Sequence, residues 1–246
     1  MAQSPKVQSP KVVVITGASQ GIGAELVKGF RDQGHYVVAN SRSLKAGTDS
    51  SVLGIAGDIA DPAIADQVVS GALQRFGRID TLINNAGIFI GKPFVDYTED
   101  DFKNVMSVNV AGFFHITQRV ARQMLAQGSG HIVNVTTSLV DQPLGVLPTG
   151  LAALSKGGLA AVTKSLATEY ATKGIRVNAV SPGIIRTPMN EQADRVFLAK
   201  LQPMGRLGDP AEIVDAVLYL DQAAFVTGEI LHVDGGAHAG QWQIAS

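Results

Sequence analysis

Lys156 is the residue that first demands a chemical explanation, because it sits in the middle of "GLAALSKGGLAA", Gly150–Ala161, a helical stretch of small and apolar residues. One turn either side of it on a helix lie Ala152, Ala153, Leu159 and Ala160. None of them can pair with an ammonium. A cation on such a face must snorkel to water or meet a polar group brought by another element or a ligand.

A second group of residues points to that ligand. "TGASQGIG", Thr16–Gly23, follows a β-branched run and precedes a helical pattern. In such a loop Gly17 permits a tight turn, Gly21 a close approach to a pyrophosphate, and Gly23 close packing of helix on strand. Ser19, Gln20 and Ile22 carry the free N–H groups at the positive end of the helix dipole. The loop therefore reads as a dinucleotide site. The second strand ends in Asn40, Ser41 and Arg42, with no carboxylate. An acid there would hold the ribose 2′-hydroxyl of NAD, whereas an arginine accommodates the 2′-phosphate of NADP. The expected cofactor is NADP(H) in preference to NAD(H), with a solvated loop arginine as the alternative reading of Arg42. Asp58, with Ile59 beside it, follows the third strand and could accept from an adenine amino group, while Asp61 is placed to cap the helix beginning at Pro62. Asn85, Ala86 and Gly87 of "NNAG" follow the fourth strand, where a cofactor would lie against the sheet edge. For Asn84 a purely structural role remains open.

These segments need a scaffold, and the hydrophobic pattern supplies one. Strand-like runs at Val12–Thr16, Tyr36–Asn40, Val52–Ala56, Thr81–Asn84, His131–Val135, Arg176–Ser181 and Ile230–Val233 alternate with helical patterns at Ile22–Gln33, Pro62–Phe76, Glu99–Ala126 and Leu151–Ala171. Continuous apolar strands alternating with helices imply right-handed crossovers and a parallel sheet covered on both faces. The predicted fold is a single-domain doubly wound α/β Rossmann fold over residues 11–246. The direct repeat "QSPKV" at Gln3 and Gln8 marks residues 1–10 as a flexible tail.

Composition narrows the function classes. With 46% hydrophobic and 17% charged residues the chain can bury a core. A net charge of −1 without blocks of like charge argues against nucleic acid as partner. The absence of Cys excludes disulfides and thiolate chemistry, fitting a reducing, cytoplasmic setting. The five histidines lack metal-like spacing, so no metal is expected. Apolar runs fall far short of the ~20 residues that cross a bilayer, so no membrane partner is expected either.

In their order, "TGASQGIG", "NNAG", "VNVAGFF" (Val108–Phe114), "IVNVTTS" (Ile132–Ser138), "SKGGLAAVTKSLATEYATKGIRVNAVSPG" (Ser155–Gly183) and "VTGEILHVDGG" (Val226–Gly236) resemble the short-chain dehydrogenase/reductase family. The resemblance runs from about Lys11 to Gly236. It implies hydride transfer between a nicotinamide and a small-molecule carbonyl or alcohol. It further implies that Asn109 positions a water in a proton relay, and that Lys156 holds the nicotinamide ribose and lowers the pKa of a neighbouring acid. A hydroxyl of "TTS" would bond the substrate carbonyl: Thr137 matches by offset from the strand and Ser138 by residue type, with Ser138 preferred. "SPGIIRTPM", Ser181–Met189, resembles the loop covering the nicotinamide, which brings Pro182, Gly183, Ile184 and Thr187 to the cofactor. A homodimer or homotetramer is implied, with Trp242 as a residue that could pack on a neighbouring subunit. Met189, Phe197, Leu201 and Met204 are read as an apolar pocket for a hydrophobic carbonyl compound.

One position departs from the pattern. The family's tyrosine, general acid or base one turn before the lysine, is here Ala152. Tyr170 stands fourteen residues beyond Lys156 on the same helix, about 21 Å away, and Tyr36, Tyr97 and Tyr219 lie where the family places no catalytic group. A positioned general acid contributes ~10²–10⁴-fold, about 3–5 kcal/mol of barrier, while proximity and cofactor orientation would survive its loss. The leading expectation is an NADP(H)-dependent oxidoreductase with an altered proton relay, a water or a substrate acid occupying the space beside Ala152. The alternative is a catalytically impaired nucleotide-binding protein, a sensor or partner subunit. A methyl-transferring Rossmann protein would leave "NNAG" and Lys156 without use.

Overall fold

The computed structural model describes residues 9–44 and 47–240. Most of the expected flexible tail, residues 1–8, and the expected subunit contact at Trp242 lie outside the described residues.

Seven strands form one sheet: β1 (Val12–Thr16), β2 (Tyr36–Ser41), β3 (Val52–Ala56), β4 (Thr81–Asn84), β5 (Gly130–Val135), β6 (Ile175–Pro182) and β7 (Ile230–Val233). Their order is β3-β2-β1-β4-β5-β6-β7, every pair parallel. Parallel pairing forces each connection to cross a face of the sheet. The crossings that carry helices are α1 (Gly21–Asp32), α2 (Pro62–Phe76), α3 (Glu99–Met106) continuing to α4 (Phe113–Gln127), α5 (Gly150–Tyr170), and the pair α6 (Arg195–Lys200) and α7 (Pro210–Gln222); none is described between β2 and β3. Strand order reverses between β1 and β4, and there the loops after the strands diverge to open a crevice. The doubly wound α/β expectation is met.

Side-chain alternation along the strands divides the core. Val12, Val14, Leu82 and Ile132 face one side, where they meet Val68 of α2 and Ile116, Val120 and Met124 of α4. Val13, Ile15, Ile83 and Val133 face the other, against Leu26 and Phe30 of α1 and Ile213, Val217 and Leu220 of α7. On α5 a stripe at every fourth residue, Leu151, Ser155, Leu159, Thr163 and Ala167, is buried. Ala152 and Lys156 stand one residue further round the helix, along one edge of that stripe.

The helix expected over Glu99–Ala126 is interrupted. Ser107–Gly112 winds as a π-helix between α3 and α4. The apolar spacing continues through the wide turn, so periodicity alone does not reveal it, but the extra residue per turn carries Asn109 into the interior, where it is 1% exposed.

A charged cluster closes the end of the sheet opposite the crevice. Asp221 of α7 accepts hydrogen bonds from Lys11 Nζ at 2.7 Å and Thr81 Oγ1 at 2.7 Å, and lies 3.3 Å from His131 Nδ1. His131 Nε2 lies 3.1 Å from Asn178 Nδ2 and 3.4 Å from an Arg176 nitrogen. Burial lowers the His131 imidazole to about 4, with Asp221 opposing the shift and Arg176 adding to it. Burial alone would raise the Asp221 carboxyl, but the bonds from His131, Lys11 and Thr81 outweigh it and hold the group below the usual carboxylate range. Between the His131 value of about 4 and its ordinary 6.5 the unfolded chain binds more protons, so stability falls as pH falls through that window. The loss amounts to about 3 kcal/mol at most, and Asp221 adds to it at lower pH. Urea midpoints measured from neutral pH down to pH 4 are expected to drop in this window, and to drop less steeply in His131→Gln.

Candidate active site

The loops after β1, β2, β3, β4, β5 and β6 enclose a cleft of about 770 Å³. At its near end Gly17 has φ +67°, and a side chain there would reach the Ala86 Cα at 2.8 Å. A side chain on Gly23 would collide with the Gly17 carbonyl, and one on Gly21, at φ +55°, would press on Thr187. The three glycines thus bring together the first loop, the β4 loop and the loop after β6. Asn85 ties this corner: its Nδ2 donates to the carbonyls of Thr16 at 3.0 Å and Gly17 at 3.1 Å, while Thr16 Oγ1 accepts from the N–H groups of Asn85 and Ala86. No side chain caps α1 and no acid sits in its first turn, whereas Asp61 caps α2 as expected, by accepting from the Ala63 N–H. The first N–H groups of α1 are thereby left facing the cleft.

Ser19, Gln20, Ile22, Ser41, Arg42, Asp58, Ile59, Ala86, Gly87, Pro182, Gly183, Ile184 and Thr187 all line the cleft. Arg42 is exposed and forms no ion pair among the described residues. Ser41 is buried and its hydroxyl finds no partner. Ser43 and Ser19 approach each other beside them, with hydroxyls 3.3 Å apart. An orphaned hydroxyl, an unpaired guanidinium and uncapped N–H groups fit the phosphates and sugar of a dinucleotide. Asp58 uses one oxygen on the Ala60 N–H, which leaves the other for a donor.

Lys156 lies on the cleft wall and donates from Nζ to the Val135 carbonyl at 2.7 Å. Among the described residues no carboxylate pairs with it. Burial lowers its ammonium to about 8. Ala152, 5% exposed, lines the same wall one turn earlier, and no tyrosine is among the lining residues. A side chain on Gly87 would stand 3.1 Å from Lys156 Nζ and 3.3 Å from Asn109 Oδ1, so glycine there lets the β4 loop pass directly over the amine.

Three expectations need correction. Asn109 does not present its side chain to the cleft: Oδ1 accepts from the Ile88 N–H at 2.8 Å, and Nδ2 donates to the Ile88 carbonyl and to Ser155 Oγ, each at 3.1 Å. It fastens the β4 loop to α5, and both of its amide hydrogens are engaged in doing so. Ser138 is buried and off the wall, while Thr137 lines it. The chain leaves β5 extended at Thr137 and turns into a 3-10 helix at Ser138–Val140, which rotates the serine away. Of the expected apolar pocket only Met189 lines the cleft. Leu198 is the residue that the short α6 turns inward; Leu201 joins it in a small buried cluster with Leu207, Phe197 is 43% exposed, and Met204 lines a separate depression beside His232 and His238. Sequence reasoning missed Ile88, Phe89, Leu139 and Leu147, apolar loop residues without periodicity.

Asn84 proves structural. Its Nδ2 donates to Thr117 Oγ1 and Asn134 Oδ1, each at 2.9 Å, and Asn134 passes the chain on to Thr163 of α5. Among the described residues no helix is long and apolar enough to cross a membrane.

Comparison with known proteins agrees with this geometry. The family model described as enoyl-(acyl carrier protein) reductase matches residues 17–238. A 3-oxoacyl-[acyl-carrier-protein] reductase, FabG, of Thermotoga maritima is 40% identical, over 92% of this chain and 97% of its own length. The (2S)-[(R)-hydroxy(phenyl)methyl]succinyl-CoA dehydrogenase subunit BbsD of Thauera aromatica is 36% identical, over 92% and 96%. Among solved structures, 3-ketoacyl-(acyl-carrier-protein) reductase from Brucella melitensis complexed with NADH superposes with a TM-score of 0.87 at 33% identity, covering 93% of this chain and 98% of that one. A short-chain type dehydrogenase/reductase from Mycobacterium marinum gives 0.89 at 31% identity, over 94% and 97%. ElxO with NADP bound gives 0.87 at 25% identity, over 94% and 100%.

The packing of the first loop makes one prediction. In Gly23→Ala the added methyl meets main chain, which cannot step aside, so the variant is expected to lose at least about tenfold in dinucleotide affinity; quenching and enhancement of reduced-nicotinamide fluorescence on titration reads it directly.

Proposed function

The chain belongs to the short-chain dehydrogenase/reductase family, and from that premise we propose that it is an NADP(H)-dependent oxidoreductase acting on a small hydrophobic carbonyl or alcohol, with a water in place of the family's tyrosine in its proton relay. The observation that carries this reading is Lys156: an unpaired ammonium on the wall of a cleft whose other end is built for phosphates.

When bound, the nicotinamide supplies or accepts the hydride. The chain's residues do the rest. Arg42, with Ser41 and Ser43, holds the 2′-phosphate; the N–H groups at the start of α1 hold the pyrophosphate; Asp58 and Ile59 take the adenine; and Lys156 donates to the nicotinamide ribose. Ala86 and Gly87 press the cofactor from below, and Pro182, Gly183, Ile184 and Thr187 cover it. Thr137 donates its hydroxyl proton in a hydrogen bond to the substrate oxygen. Asn109 acts as a positioning residue, since its grip on Ile88 sets the height of the loop over Lys156. The space beside Ala152 admits a water that Lys156 orients toward the same oxygen. We also place the active protein in a homodimer or homotetramer, as the family resemblance implies.

Two substitutions test the assignments. Arg42→Ala removes a charge-assisted contact of about 1.5–3 kcal/mol, so NADPH affinity is expected to fall about 10–100-fold with NADH affinity unchanged; equal losses for both would refute the 2′-phosphate role. Ala152→Tyr restores a phenol one turn before Lys156, and kcat for an unconjugated ketone is expected to rise at least about 10²-fold. Stopped-flow oxidation of NADPH measures it.

A further inference from the structure

An oxygen that receives a hydride on its carbon becomes an anion and has to be neutralised, and few groups beside β5 and α5 are free to do so. Thr136 Oγ1 is engaged with the Val180 carbonyl at 3.1 Å. Ser155 Oγ donates to the Leu151 carbonyl at 2.8 Å. Thr137 Oγ1 accepts from the Leu139 N–H at 3.4 Å and keeps its own proton free, but an alcohol is too weak an acid to part with it. Lys156 uses one N–H on the Val135 carbonyl, and an ammonium has three. Lys156 is thus the group on this wall that can release a proton, and the phenol that would carry the proton to the substrate is replaced by the methyl of Ala152.

We propose that the cleft is selective for carbonyls whose reduced oxygen is already a stabilised anion, quinones above all, with Lys156 supplying the proton to the phenolate oxygen through the water beside Ala152 and Thr137 donating a hydrogen bond to it. This rests on the oxidoreductase reading above and narrows its substrate class.

Acidity decides between substrates. An unconjugated ketone becomes an alkoxide, whose conjugate acid is about as weak as water; such an oxygen must take its proton in concert with hydride arrival. A quinone becomes a phenolate, whose conjugate acid lies near about 10; it forms first and takes its proton afterwards. The two oxygens differ in proton affinity by several orders of magnitude, so a positioned general acid lowers the barrier for the ketone far more than for the quinone. The missing phenol therefore matters much more for the ketone. Lys156, lowered to about 8 by burial, gives its proton downhill to a phenolate. Ile88, Phe89, Leu139, Leu147, Ile184 and Met189 supply apolar walls for an unsaturated ring. The step balances: one hydride from NADPH reduces the quinone by two electrons to the hydroquinone monoanion, the Lys156 proton completes the hydroquinone, and the neutral amine regains a proton from water.

The test uses the NADP⁺-loaded protein and 4-nitrophenol, a phenol that cannot be reduced by hydride here and whose anion alone is yellow. At mildly acidic pH the bound probe is expected to ionise in the wild type and in Lys156→Arg, which keeps the charge, and to stay neutral in Lys156→Met. With NADPH, kcat/KM for 2-methyl-1,4-naphthoquinone is expected to exceed that for cyclohexanone by about 10³-fold or more. Lys156→Arg should lower quinone turnover even though it still ionises the probe, because a guanidinium does not give up its proton. A bound probe that stays neutral in the wild type, or cyclohexanone turnover within about tenfold of the quinone, overturns the substrate class while the oxidoreductase reading stands. Failure of NADPH to bind overturns that reading, and the inference with it.

Discussion

The hydrogen bond from Lys156 Nζ to the Val135 carbonyl, 2.7 Å long, is the contact on which the site is organised. It holds a cation at the carboxyl ends of the central strands, where a parallel sheet offers main-chain oxygens and no carboxylate answers the charge. The same desolvation that costs folding free energy lowers the ammonium to about 8, near the pH at which it can both hold and release a proton. Everything around it keeps that amine placed and accessible. Gly87 leaves room for the loop above it, Asn109 pins that loop through Ile88, and Ser155 takes the other side of the Asn109 amide.

Polar groups in the interior extend this control to the sheet. Asn84, Asn134 and Thr163 form a buried run of hydrogen bonds linking β4, β5 and α5, so the three elements that frame the lysine cannot shift independently without orphaning an amide. The opposite end of the sheet is fastened by Asp221 with Lys11, Thr81 and His131. Phe94, Val95, Val146 and Met189 are exposed apolar residues, and Val146 and Met189 belong to loops that contribute Leu147 and Met189 itself to the cleft wall.

Much of this was legible in the residues. β-branched, largely apolar runs located all seven strands, including the edge strands β3 and β7, which are only partly buried, and the first loop was legible from its glycines, of which Gly17 and Gly23 would drive a side chain into main chain and Gly21 into Thr187. What escaped has local causes. The π-turn at Ser107–Gly112 preserves the apolar spacing of an α-helix, so Asn109 read as a helix-face residue when it is an interior clamp. The choice between Thr137 and Ser138 hinged on where β5 gives way to a 3-10 turn, a one-residue boundary that side-chain type does not mark. Phe197 and Met204 have the right character for a pocket, but α6 is six residues long and turns only Leu198 inward. Loop residues such as Phe89 and Leu147 have no period to read.

The most direct measurement is the titration of the Lys156 ε-ammonium itself, by NMR of a sample labelled at the lysine side chain and assigned with Lys156→Arg. A midpoint near 8 that moves when NADPH is added is the expected result. A midpoint at the ordinary 10.5, indifferent to the dinucleotide, would show an ammonium in open water and contradict the account.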